Sequence, residues 1–383
     1  MRKITLLFAL LLSFSLLSAC SMFGDDEEER PSELTKFEAE VKLRKQWSVK
    51  VGKGQGELYT RLKPVIQGDV IYAASNNGVV MAINKESGKK IWKAKLEHNL
   101  SGGVGVGGDL VLLGSENSTV IALDINSGET LWETSVSSEV VSAPATDGKM
   151  VVAQSVDGKL TGLDASTGEQ KWLYESTVPA LSLRGTSSPL VLNNFVVVAF
   201  ANGSVASIAL DNGTLRWEER VAIPSGKSEI ERLVDVDGEL YVNDAGVLLV
   251  SSYQGYLAAL DVVTGQMRWR VKESSTVGAG SGFGNVYISD ESSHIKAYKT
   301  GQEEYLWIND YLHLRRTTAP SSFSNYVAVG DFEGYVHLLS QVDGRFMGRI
   351  KVDGKGIRAN LLSQNNTLYV YGNSGKLVAL KVQ

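Results

Sequence analysis

The sequence predicts an all-β fold: an eight-bladed β-propeller of four-stranded antiparallel blades, its ring closed by an N-terminal strand that completes the last blade. Three observations carry this reading. The seven tryptophans of the 383-residue chain, Trp47 to Trp307, recur at intervals of roughly 40–50 residues, the period of a propeller blade. Most of them close one phrase. Ser87-Gly88-Lys89-Lys90-Ile91-Trp92 returns as Ser127-Gly128-Glu129-Thr130-Leu131-Trp132, as Thr167-Gly168-Glu169-Gln170-Lys171-Trp172, as Asn212-Gly213-Thr214-Leu215-Arg216-Trp217 and as Thr264-Gly265-Gln266-Met267-Arg268-Trp269. Ahead of each phrase stands a short apolar strand. It reads Ala82-Ile83-Asn84, Ala122-Leu123-Asp124, Gly162-Leu163-Asp164, Ala209-Leu210-Asp211 and Ala259-Leu260-Asp261, with weaker copies at Ala297-Tyr298-Lys299, Leu338-Leu339-Ser340 and Ala379-Leu380-Lys381, eight in all.

One blade can be followed strand by strand from Val141 to Trp172. Ala143-Pro144-Ala145 opens the first strand and Asp147-Gly148 turns it; residues 149–153 form the second, and Asp157-Gly158 turns again. Residues 160–164 form the third strand, and the fourth carries Trp172. The 39 glycines, many paired with Asn, Asp or Ser, suit the tight turns between such strands. The repeated tryptophan is expected to pack between neighbouring blades, burying roughly 150–250 Å². The Asp or Asn before each Ser/Thr-Gly pair is expected to cap that turn. Gly348 replaces the tryptophan in the seventh copy, and two extra residues precede Trp307 in the sixth, so these blades should pack less regularly. The eighth copy stops at Gln383 after its third strand, while residues 45–49 around Trp47 form a fourth strand with no blade before it. Joining the two halves closes the ring and removes an open sheet edge.

Residues 1–19 read as a signal peptide. Arg2 and Lys3 supply the positive start, and the apolar run 4–17 is too short to span a bilayer. Leu17-Ser18-Ala19-Cys20 has the form of a bacterial lipobox, with Cys20 the only cysteine of the chain. Resemblance to that lipoprotein class implies cleavage before Cys20, its acylation and, from Ser21, residence at the outer membrane facing the periplasm. With a single cysteine no disulfide forms within the chain. Residues 20–40 are expected to be a flexible acidic tether, since the run 25–29 and Pro31 have the composition of a solvated linker; a recognition tail is the other reading. The propeller then occupies 41–383.

Composition excludes several functions. A net charge of −5 offers no basic footprint for nucleic acid. The four histidines show no metal-ligand spacing, and no nucleophile elbow or phosphate loop is present. The glycine run 102–108 falls on a first strand rather than between a strand and a helix. No catalytic residue, cofactor or metal is therefore expected. Function is sought where the repeat is broken. The stretch after Trp172 is long and places Leu181 and Leu183 beside Arg184 in a loop. The leucines either fold back onto the blade or stand at the surface as a binding feature. The stretch after Trp217 carries Asp235 and Asp237. Asp237 aligns with the turn residue Asp147, whereas Asp235 falls where a small apolar residue is normal. Both stretches join an outer strand to the next inner strand, so they share one face on adjacent blades. The widest tryptophan gap is ascribed to an insert at 243–246.

Over nearly all of 41–383 the repeat resembles the quinoprotein (PQQ-type) propeller repeat. Within that superfamily, the lipobox, the eight copies, the 181–185 loop and the 235–237 segment resemble the propeller lipoproteins of the outer-membrane β-barrel assembly machinery. That resemblance implies a non-catalytic scaffold docked on the periplasmic POTRA domains of BamA. It gives Leu181, Leu183, Arg184, Asp235 and Asp237 as the contact residues, with unfolded barrel proteins as a further partner and a monomer within the complex. Two other readings stand beside it. One is an envelope lipoprotein that binds cell wall or a different periplasmic partner. The other is a quinone-dependent dehydrogenase, which the single cysteine disfavours because those enzymes often carry a vicinal disulfide beside the cofactor.

Overall fold

The computed structural model describes residues 29–383 apart from 59, 180, 184 and 229. The signal segment and Cys20 lie outside the described residues, as does Arg184. Residues 32–383 form one compact unit of eight antiparallel sheets. Each blade runs from a first strand at the channel to a fourth at the rim: blades 1 to 7 span 65–95, 100–135, 145–175, 190–220, 241–271, 279–309 and 321–351. Blade 8 combines Leu362–Gln364, Thr367–Tyr371 and Lys376–Val382 with the N-terminal strand Leu43–Lys50. The closing strand pairs antiparallel with the C-terminal one, Leu43 facing Val382, Trp47 facing Ala379 and Lys50 facing Lys376. The ring is thus closed as the split repeat predicts.

The hydrophobic core lies between blades. Buried apolar residues form eight clusters, each shared by two neighbouring blades. The tryptophan phrase is what joins them. Trp92 covers the Ser127-Gly128 turn of the next blade, where a Cβ on Gly128 would fall 2.6 Å from the indole, and its Nε1 donates to Ile125 O at 2.9 Å. Trp47, Trp132, Trp172 and Trp307 repeat the arrangement on Lys85, Ala165, Leu210 and Gln341. Turn capping is equally regular: Asp124 Oδ1 accepts from the amides of Asn126 and Ser127, and these bonds, led by that from Ser127, hold its carboxyl below the usual carboxylate range.

The irregularity of the sixth copy lies in its own turn and not at its tryptophan. Trp307 packs on Gly344 in the ordinary way. The extra residues loosen the sixth-blade turn itself, so that nothing comes within 4 Å of a Cβ placed on Gly301. Gly348 is explained by the seam. Blade 8 has no turn between its third and fourth strands, because the chain ends meet there, so a seventh-blade tryptophan would have nothing to cover. A Cβ on Gly348 would instead meet Val41 O at 2.7 Å.

Of the expected flexible tether 20–40, residues 32–40 are packed on the propeller. Residues 32–41 lie along blade 7 as a strap. Ser32 N donates to His313 O and Val41 N to Met347 O, each at 3.0 Å. Phe37 stacks on Phe346 at 5.2 Å, Arg349 donates to Thr35 O at 2.9 Å, and Arg315 donates to Ser32 O at 2.8 Å. Polar composition suggested a solvated linker here, but aromatic and backbone contacts outweigh it. Arg315 is itself buried against Asp331, Nε to Oδ2 at 2.9 Å. Burial alone would push the Asp331 carboxyl up, but bonds from His337, Tyr335 and Arg315 hold it below its ordinary value.

A further feature has no counterpart in the repeat. After the closing strand, the described part of residues 51–63 runs along the channel side of the ring, where Gln55 and residues 60–63 line its cavity. Arg61 and Leu62 pair in parallel with Gly102 and Gly103, making a fifth strand on blade 2. Leu62 is buried in the blade 1–2 cluster.

Candidate functional site

The two broken stretches meet as expected. The link from blade 3 to blade 4, residues 176–189, lies beside the link from blade 4 to blade 5, residues 221–240. The leucines stand outward, Leu181 at 43% and Leu183 at 38% exposure. Val178, Ile223 and Ile230 on the same two links are also exposed. Five exposed apolar side chains thus stand on two adjoining links.

The aspartates are not part of that surface. Asp235 and Asp237 are 1% and 3% exposed and sit beneath the leucine loop. The backbone amide of Leu183 donates to Asp235 Oδ2 at 3.0 Å. Gly185 is required directly above: a Cβ there would fall onto the Asp237 carboxylate. Arg61 reaches across from the channel segment. Its Nη1 donates to Thr186 O at 3.1 Å and also to Asp237 O, while Nη2 lies 3.9 Å from Asp237 Oδ2. Burial of a carboxylate without full pairing is costly, and the pair answers by keeping a proton. Burial, then the Asp237 charge, pushes the Asp235 carboxyl up to about 8. Burial also raises Asp237, against the opposing pull of Arg61. Both carboxyls are thus shifted towards the protonated form, with the Arg61 guanidinium opposing the shift at Asp237.

Two expectations are corrected here. The turn between the first two strands of blade 5 is Asn243 to Gly246, closed by Gly246 N to Asn243 O at 3.0 Å, so Asn243 and not Asp237 occupies the place of Asp147. Residues 243–246 are consequently an ordinary turn, and the surplus length of this repeat lies in the link 221–240. Asp237 was matched to a turn because Asp237-Gly238 has turn chemistry. Its neighbours show otherwise: Asp235 bridges to Tyr253 and Glu239 to Gly278, placing 235–239 on an irregular extension of the inner strand. Arg61 was missed by sequence reading, since it lies outside every repeat.

Beyond the links, the channel holds a cavity of about 370 Å³ lined by Arg61, Lys63, Glu239, Asp290, Glu291 and Arg316 among others. Glu239 is fully engaged: Lys63 is its ion pair and Asn360 Nδ2 donates to it at 2.8 Å. Among the described residues no three His, Cys, Asp or Glu side chains gather as metal ligands.

Comparison with known proteins gives the following. A family model described as outer membrane protein assembly factor BamB matches residues 26–99 and 76–309. The outer membrane protein assembly factor BamB of Pseudomonas aeruginosa is 55% identical over 375 residues, covering 98% of either chain. The crystal structure of BamB from Moraxella catarrhalis superimposes with a TM-score of 0.80 at 29% identity, over 88% of this chain and 99% of that one. The quinohemoprotein alcohol dehydrogenase of Comamonas testosteroni shares the fold alone, with a TM-score of 0.67 at 15% identity, over 88% of this chain and 76% of the enzyme.

Proposed function

The chain belongs to the BamB family of outer membrane protein assembly factors, and from that premise we propose that it is a non-catalytic scaffold of the β-barrel assembly machinery, docked through the leucine loop on the periplasmic POTRA domains of BamA. Acylated Cys20 holds it at the outer membrane on the periplasmic side. It acts as a monomer within the complex and aids folding and insertion of outer-membrane proteins. No cofactor takes part.

The observation that carries this reading is the contrast between exposed leucines and the buried carboxylates beneath them. Leu181 and Leu183 point outward although their loop backbone is fixed from below, as a preorganised apolar anchor should be. Each leucine is worth about 1.5–3 kcal/mol if an apolar groove of the partner buries it fully. Arg184, from the resemblance, stands with them as a cation for a carboxylate or carbonyl of BamA. Asp235 and Asp237 keep their importance in a different role. Too buried to touch a partner, they position the loop that does.

The test is binding of the purified chain to the POTRA domains of BamA by calorimetry, comparing wild type with Leu181→Asp plus Leu183→Asp. The expected outcome is loss of binding with an unchanged circular dichroism spectrum. Wild-type affinity in the double variant would sink the docking surface. A change of partner is tested in the same experiment, since no binding by wild type leaves only an envelope propeller with another ligand.

A further inference from the structure

The loop's lower side depends on a residue from the other end of the ring's path. Residues 51–63 leave the blade 8 closing strand and are gripped from several sides. Gln55 N donates to Asn373 O at 3.1 Å. Arg358 donates to Leu58 O at 3.3 Å and Gly56 O at 3.2 Å. Lys63 N donates to Gly103 O at 2.7 Å, and Val104 N returns a bond to Lys63 O at 3.0 Å. Lys63 also pairs with Glu239 on the blade 5 extension. The segment is therefore held by blades 8, 2 and 5 before it presents Arg61.

Arg61 then meets the base of both functional links at once. One guanidinium nitrogen binds a carbonyl from each, Thr186 on the blade 3–4 link and Asp237 on the blade 4–5 link, and the other faces the Asp237 carboxylate. A planar fork with several donors suits this bridging, which a lysine point charge cannot reproduce. Thr186 lies three residues beyond Leu183, whose amide is tied to Asp235. Arg61 thus holds the bases of both links at Thr186 and Asp237, two residues from the aspartate that fixes the Leu183 backbone.

We infer that Arg61 is the positioning residue of the docking loop: anchored in the channel segment, it locks the two links together and so sets the geometry in which Leu181 and Leu183 are offered to BamA. The inference rests on the docking role proposed above and extends it to a residue that no partner atom needs to touch. Arg61 acts by removing loop freedom before association, so its loss appears as weaker binding and a looser loop.

The experiment uses the whole mature chain with the POTRA domains of BamA as probe, and a set of variants. Arg61→Met should weaken binding about tenfold or more, the size of one lost charge-assisted hydrogen bond, and speed hydrogen exchange of the Leu183 amide. In an Asp237→Asn background the same substitution should still weaken binding, because Arg61 also bridges the carbonyls of Thr186 and Asp237, but by less than in wild type, since the carboxylate contact is already altered. Lys63→Met, which removes one of several anchors of the segment and leaves the Arg61 bridge in place, should speed exchange at Leu183 far less than Arg61→Met. Should Arg61→Met fail to fold, Arg61→Lys keeps the charge without the bridge and should bind with intermediate affinity. Wild-type affinity and exchange in Arg61→Met, or wild-type affinity in Arg61→Lys where only that variant folds, overturns the inference. So does full additivity with Asp237→Asn. If Leu181→Asp plus Leu183→Asp also binds normally, it is the docking reading itself that falls; if that variant loses binding while Arg61→Met does not, only the positioning role falls.

Discussion

The seam between blades 7 and 8 and the links around blade 4 both break the repeat, and they break it in opposite ways. At the seam the tryptophan is lost, but Val41 and Phe37 fill the space beside Gly348 and Phe346. Every departure there is answered by inward packing. At the links, apolar side chains are added and left outside, while carboxylates are taken inside. The two classes of aspartate make the same point. Asp124 caps a turn at the surface and is held below the ordinary carboxylate range by the bonds from Ser127; Asp235 is buried and raised to about 8. A break that the fold compensates is structural. A break that leaves greasy atoms in water and charge out of it has a use elsewhere.

The comparison can be tested from its largest expected effect downward. Trp172→Ala removes a regular inter-blade contact, with its indole on Gly213 and its Nε1 on Leu210 O. It should cost about 3–5 kcal/mol of stability, read as a lowered midpoint in guanidinium, with no specific effect on partner binding beyond loss of folded protein. Leu181→Asp plus Leu183→Asp should do the reverse: about 2 kcal/mol or more of binding lost, with the unfolding midpoint unmoved. Asp235→Asn should abolish a pH dependence. Between about 4 and about 8 the folded wild type retains a proton that the unfolded chain has lost, given the raised carboxyl. This group's contribution to stability is therefore full below that window, declines as pH rises through it and is gone above about 8. Binding to the POTRA domains should follow, weakening above pH 8 in wild type and staying flat in Asp235→Asn, whose amide keeps an acceptor for Leu183 N. A titration showing the same decline in both proteins would return the pair to a passive role. Phe37→Ala, at the seam, should cost only about 1 kcal/mol, the scale of a stacked aromatic pair beyond its burial, and leave binding as it was.

How much of this was legible in the sequence depended on whether a residue belonged to the period. The eight blades were, because Trp, Gly and the capping Asp or Asn recur together, and the closing strand was, because a fourth strand lacked a blade at one end and a blade lacked a fourth strand at the other. The two links and their shared face were also legible as extra length. What escaped notice was anything whose meaning needs a neighbour distant in the chain. Asp237-Gly238 looks like a hairpin turn until Asn243 to Gly246 is seen to make it. Phe37 and Val41 sit in a polar stretch, and only the proximity of Phe346 and Gly348 gives them a place. Arg61 carries no local signal, since its partners are the carbonyls of Thr186 and Asp237.

The stitched eighth blade also orders events in time. The strand Leu43–Lys50 is among the first parts of the propeller to be made, and its partner Lys376–Val382 is the last. Until that partner arrives, blades 1 to 7 can be no more than an open arc. The arc has an unpaired edge at one end and the blade 1 face of the blade 8–1 cluster bare of its cover, which are the surfaces that invite misassembly. Closure by such distant segments is slow, so the newborn chain stays vulnerable for as long as its own C-terminus takes to appear. Loss of the final strand would therefore do more than shorten the protein: it would leave it permanently at the stage when it most needs a chaperone.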